Sequence, residues 1–170
     1  AALNSSIGKS IVTDQEYLSG LNKIAPKAVQ TGQSMQTLLG AMAAMTTDTK
    51  DAAGAFTNLE NVLSKMFDAK YEKGLQEVFG TSFFDAQGNV KQLNVLIEEL
   101  STKMQGLTKE QQVEKIGAVF KDAQARDGIL AMIANLDKFK KALADGGDID
   151  KFRANQSQML DATEARWKTF

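Results

Sequence analysis

The chain has 170 residues, enough to bury a sizeable core, with 43% hydrophobic and 24% charged residues in ordinary globular proportion. Its 20 basic and 21 acidic side chains leave a net charge of −1, so it carries neither an electrostatic footprint for nucleic acid nor a polybasic segment for anionic lipid. Cysteine and histidine are absent, which removes disulfides, structural zinc, thiol catalysis and the usual general base at neutral pH; no metal or cofactor site is expected.

A single proline permits long uninterrupted helices. The chain opens Ala1-Ala2-Leu3 without methionine, which reads as a segment cut from a longer protein, and this opening is too polar for a secretory signal. Thr13-Asp14-Gln15-Glu16 has the form of a capping box, and the helix it starts is predicted to run to about Ile24, with Tyr17, Leu18, Leu21 and Ile24 on one face. Pro26 suits the first turn of a second, short helix ending at Gly32. Ser34 then caps a third helix through Thr46. Its stretch from Ser34 to Met45 is about a dozen residues and holds Gln36 and Thr37, against the roughly twenty apolar residues a membrane span needs. A buried or partner-facing helix is the expectation, with no span in this segment.

Thr47 or Asp48 is the expected cap of the next helix, where Ala52, Phe56, Leu59, Leu63 and Met66 step by four, three, four and three along one apolar stripe. A further turn or two carries Tyr71, Leu75, Val78 and Phe79 and stops at Gly80. From Ser82 to Val90 apolar residues flank a polar, glycine-containing centre, which predicts a small β-hairpin near residues 82–92, turning at Asp85 to Gly88 and lying against a helix. Gly88 is the expected positive-φ residue.

Helix resumes at about Gln92, with Leu93, Leu96, Ile97, Leu100 and Met104 on a face and Gly106 as the stop. Thr108 with Gln111 forms a second capping box, followed by Val113, Ile116, Val119 and Phe120 facing inward. Ile129, Leu130, Ile133, Leu136, Lys140 and Leu143 track one more helix, its stripe interrupted by the charge at Lys140, and Gly146-Gly147 ends it. A last helix starts at Asp148 or Asp150 and carries Phe152, Met159, Leu160, Thr163, Trp167 and Phe170. The fold class is therefore mainly α: a compact multi-helix bundle with one small β-hairpin, residues 1–170 forming one segment with candidate sub-units 1–80 and 81–170. Phe56, Leu59, Leu63, Leu96, Leu100 and Ile133 are the expected core.

Reactive constellations are scarce. Glu98 and Glu99 are adjacent on a helix, so they point about 100° apart and do not share a site. Asp85-Ala86-Gln87-Gly88-Asn89 lacks the ligand spacing of a calcium loop, since its glycine is fourth rather than sixth. Gly8-Lys9-Ser10 lacks the upstream glycine and the strand of a phosphate loop. Lys138, Lys140 and Lys141 form a short basic cluster whose default is a solvated face. The seven methionines suit adaptable core packing, or an accommodating surface. No catalytic, cofactor-binding or metal residue is assigned, and the chain is expected not to be an enzyme.

The order of these pieces resembles the core region of phage tail tape measure proteins. The resemblance runs from about Ala25 to about Leu143. It begins with Ala25-Pro26-Lys27-Ala28-Val29-Gln30-Thr31-Gly32 and the small-residue helix Leu38 to Thr46, and continues through Lys50-Asp51-Ala52-Ala53-Gly54-Ala55-Phe56-Thr57-Asn58-Leu59. Its most specific part is Phe84-Asp85-Ala86-Gln87-Gly88-Asn89-Val90-Lys91-Gln92-Leu93 with Leu96-Ile97-Glu98-Glu99-Leu100. Gly106-Leu107-Thr108-Lys109-Glu110-Gln111, Ile116, Phe120 and Gly128-Ile129-Leu130-Ala131-Met132-Ile133 follow, with Lys121 where a glycine is common and Gln92 where a proline is usual. The resemblance implies a structural tail protein that determines tail length and helps tube assembly. It implies tail tube, tail assembly chaperone and tail tip proteins as partners, self-association, and a place in the virion tail after assembly in the bacterial host cytoplasm. It offers no catalytic residues. Two other readings stand beside it: a host-encoded helical protein-interaction module, and a tail-associated cell-wall hydrolase module.

Overall fold

The small-residue stretch that begins at Met35 becomes the centre of the fold. In the computed structural model the described residues are 14–49 and 51–145, with side chains described from residue 19 onward, Thr49 excepted. They form eight helices: α1 (Asp14–Gln30), α2 (Met35–Thr49), α3 (Ala52–Lys65), α4 (Ala69–Phe79), α5 (Leu93–Lys103), α6 (Lys109–Val119), α7 (Ala123–Ala134) and α8 (Leu136–Ala144). From Thr37 to Thr46 every residue of α2 is buried. Its alanines and Gly40 let neighbours approach closely, and α3, α5, α7 and α8 all pack against it. At Gly40 an added Cβ would stand 2.8 Å from the Phe139 ring, so only glycine admits α8 at this distance. None of the described helices is long and apolar enough to cross a membrane.

Local chemistry sets most of the boundaries. Ser34 Oγ accepts from Thr37 N at the start of α2. The Thr108 hydroxyl accepts from Gln111 N while the Gln111 side chain accepts from Thr108 N, so the predicted capping box is complete at α6. Glycines at 32, 80, 88 and 106 have positive φ, as expected of stops and a turn. The stripe Ala52, Phe56, Leu59, Leu63 and Met66 is buried, as are Leu75, Phe79 and the whole Leu93, Leu96, Ile97, Leu100 and Met104 face. All methionines from Met35 to Met132 are core residues.

Other expectations are corrected. Pro26 lies inside one continuous helix, α1, instead of opening a second one. It sits on the exposed face, where its ring meets solvent and the missing N–H is nearest to water. The cap of α3 is Asp51, whose carboxylate accepts from Gly54 N, while Thr47 and Asp48 belong to α2. Val113 is 41% exposed, unlike its stripe partners Ile116, Val119 and Phe120. The helix expected from Ile129 to Leu143 is two helices: Asn135 leaves helical geometry at φ −117°, ψ 35° and separates α7 from α8. That break resets the register, so Phe139 and Ala142 are buried while Ile133 and Leu136 are only partly covered. The Thr13 cap, the Tyr17 and Leu18 side chains, Gly8-Lys9-Ser10, Gly146-Gly147 and the helix from Asp148 to Phe170 lie outside the described residues.

The β-hairpin near residues 82–92 is not formed. A lone antiparallel bridge, Phe84 with Val90, stands in its place. Only two backbone bonds cross between the arms, Asp85 N to Asn89 O and Lys91 N to Phe83 O, both at 2.8 Å, and other amides of the segment bond side chains in place of a continued ladder. Phe83 N donates to Glu72, Phe84 N to Ser82 Oγ, and the amides of Gln87 and Asn89 both to Asp85. Gly88, at φ +83°, completes the turn. Replacing it with valine is expected to cost about 1–2 kcal/mol, the strain of left-handed backbone, with helical circular dichroism retained. An unchanged melting temperature would contradict this placement.

Candidate functional site

The densest polar network among the described residues fastens the segment 81–92 across the helical body. Gln33 is 2% exposed, in the turn between α1 and α2. Its Nε2 donates to Lys91 O at 2.9 Å and its Oε1 accepts from Leu93 N at 2.7 Å. Gln92 answers in the opposite direction: Nε2 donates to Gly32 O at 2.6 Å, and Oε1 accepts from Ser34 N and the Thr37 hydroxyl at 3.0 Å. Two amides thus join the start of α2 to the start of α5, satisfying backbone groups that helix termini leave open.

Two carboxylates hold the other edge. Glu72 of α4 accepts from Phe83 N at 2.9 Å, from Gln76 Nε2 at 2.9 Å and from the Ser82 hydroxyl. Glu99 of α5 accepts from Lys91 Nζ and from the Thr81 hydroxyl, both at 2.8 Å. Partial burial works against ionisation of Glu72. The Ser82, Phe83 and Gln76 donors, together with the charge of Lys91, outweigh it and hold the carboxyl below its ordinary range. Glu99 is lowered in the same way: burial is overcome by hydrogen bonds from Lys91 and Thr81 and by the charges of Lys91 and Lys103. Beneath them Phe83 is fully buried, edge-on to Phe120 at 6.3 Å, and Phe120 stacks on Tyr71 at 5.9 Å. The tip, residues 85–89, is exposed.

The groups singled out in the sequence separate accordingly. Glu98 and Glu99 diverge: Glu98 meets Lys140 of α8 at 2.9 Å on an exposed face, while Glu99 turns to the segment 81–92. Lys138 and Lys141 are exposed beside Lys140. Asp85 caps its own turn. A shallow cleft of about 200 Å³ is lined by Met45, Asp51, Gly54, Ala55, Asn58, Asp127 and Ala131. Its Asp51 is engaged in capping α3. Among the described residues no group of three or more acidic side chains could hold a metal ion. Sequence reasoning missed Gln33, Glu72, Lys91 and Phe139, whose roles depend on partners far along the chain.

These features define a helical body with a side-chain-fastened surface segment. The family model of phage-related minor tail proteins matches residues 2–121, most of the chain. The chain belongs to that family and is a structural component of a phage tail. No curated protein and no solved structure matches it.

Proposed function

We propose that this chain is a helical segment of a tape measure protein, taking part in tail length determination and tail tube assembly. The observation that carries the proposal is the minor tail family match over residues 2–121. The ordered pieces from Ala25 to Leu143 support the finer assignment, because they follow the sequence order of the tape measure core. In this reading residues 1–170 form one segment of a longer protein. Its partners are the tail tube, the assembly chaperone and the tail tip, and copies of the chain associate with each other. It resides in the virion tail after assembly in the host cytoplasm, performs no reaction and takes no cofactor.

The test is an in-frame deletion of residues 35–144 in the parent phage, read by electron microscopy of lysates. Filled capsids with absent tails, or with tails of altered length, are the expected result. Tails of normal number and length would overturn the proposal.

A further inference from the structure

The segment 81–92 is fastened differently from everything around it. The helices hold each other by apolar burial and internal backbone hydrogen bonds. The segment has a single bridge to itself, closed by the backbone bonds Asp85 N to Asn89 O and Lys91 N to Phe83 O, and its edge is tied by the carboxylates of Glu72 and Glu99 and by the ammonium of Lys91. Phe83 is its one fully buried side chain, and Phe84 and Val90 only partly pack on the core. Few apolar contacts and side-chain-dependent backbone bonds are the marks of a unit that opens ahead of the whole.

We propose that residues 81–92 form a carboxylate-latched strap, which opens when Glu72 and Glu99 are protonated, before the helices unfold, lifts Phe83 from Phe120 and uncovers the Phe120 ring that stacks on Tyr71. Protonation turns one Glu72 oxygen into a donor and removes the charge that strengthens its bonds from the Phe83 amide and the Ser82 hydroxyl, and Glu99 loses its ion pair with Lys91. The charged groups acting on the pair are Lys91 from the strap, on both carboxylates, and Lys103 from α5 on Glu99. Asp85 fastens only the tip, and Lys140 is engaged with Glu98.

The direction with pH follows from linkage. Both carboxyls sit below their ordinary unfolded value, so they stabilise the closed strap at neutral pH, and that contribution is lost as pH falls through their folded values. At pH 7 the strap is shut, and it opens as pH falls through the lowered folded values of the two carboxyls. Gln33 and Gln92 do not titrate, so the end of the strap next to α5 stays hinged to the α1–α2 turn.

The experiment follows backbone amides of the 170-residue chain by ¹H–¹⁵N NMR from pH 7 to pH 3, beside helical circular dichroism. The amides of Phe83, Phe84 and Lys91 should lose their native positions at higher pH than the amides of α2 and α5, with the helical signal retained at that point. Loss of strap and helices in one transition, or a strap intact while the helices melt, would overturn the proposal. A second arm uses the E72Q/E99Q variant at pH 7, in which both carboxylates are neutral. Amide exchange at Phe83 and Lys91 should quicken by about tenfold or more while α2 stays as protected as in the parent chain. Unchanged exchange at both amides would contradict the latch. If the variant does not fold, the titration of the parent chain still decides.

Discussion

Replacing Phe139 with alanine is expected to destabilise the fold by about 3–5 kcal/mol, the usual cost of emptying a phenylalanine site in a core. The ring is fully buried and lies against Gly40 in the central helix, where α2 has no side chain to relax into the vacated space. The same substitution at Ile133, which is only partly covered, should cost clearly less. The comparison distinguishes two registers of one stretch of sequence. A single helix from Ile129 to Leu143 makes Ile133 a core residue; the break at Asn135 gives that place to Phe139. Urea denaturation of both variants measures it, and a larger loss at Ile133 would contradict the observed register.

Leu59→Ala and Leu96→Ala should each cost about 2–5 kcal/mol. Both leucines are fully buried, Leu59 on a helix that packs against α1, α2 and α7, and Leu96 on one that packs against α2, α7 and α8. Their surroundings are shared by several helices, so a cavity at either site cannot close by the shift of one neighbour. Val113→Ala, on an exposed position, should change stability by no more than about 0.5 kcal/mol. Equal melting temperatures for all three variants would show that burial does not set the stability of this fold.

What the sequence made legible was local. Capping at Thr108 and Gln111 needs residues three apart, and the stripes of α3 and α5 need only helical spacing, so both could be read directly. The segment 82–92 was legible as a turn but not as a latch. Asp85 and Gly88 are neighbours in sequence, whereas Glu72, Glu99 and Gln33 reach the segment from three separate elements. Pro26 and Asn135 misled for a related reason. Each carries a local preference that packing overrules: α1 continues through a proline on its exposed face, and α7 gives way at an asparagine that looked compatible with helix. The tie of Glu99 was not legible because its partner, Lys91, precedes the helix on which it stands. The tail family was legible from ordered pieces no one of which is diagnostic, and the family match extends over residues 2–121.

The central claim, a tail segment that contributes to measured length, is tested most directly by duplicating residues 1–170 in frame in the parent phage and measuring tails by electron microscopy. A chain of 170 residues drawn out as continuous helix spans about 255 Å at about 1.5 Å per residue. The same chain kept as a folded body is about 40 Å across. The account predicts longer tails, by about 250 Å if the segment is extended in the tail lumen or by about 40 Å if its helices stay packed there. Infectious particles with tails of unchanged length would contradict it.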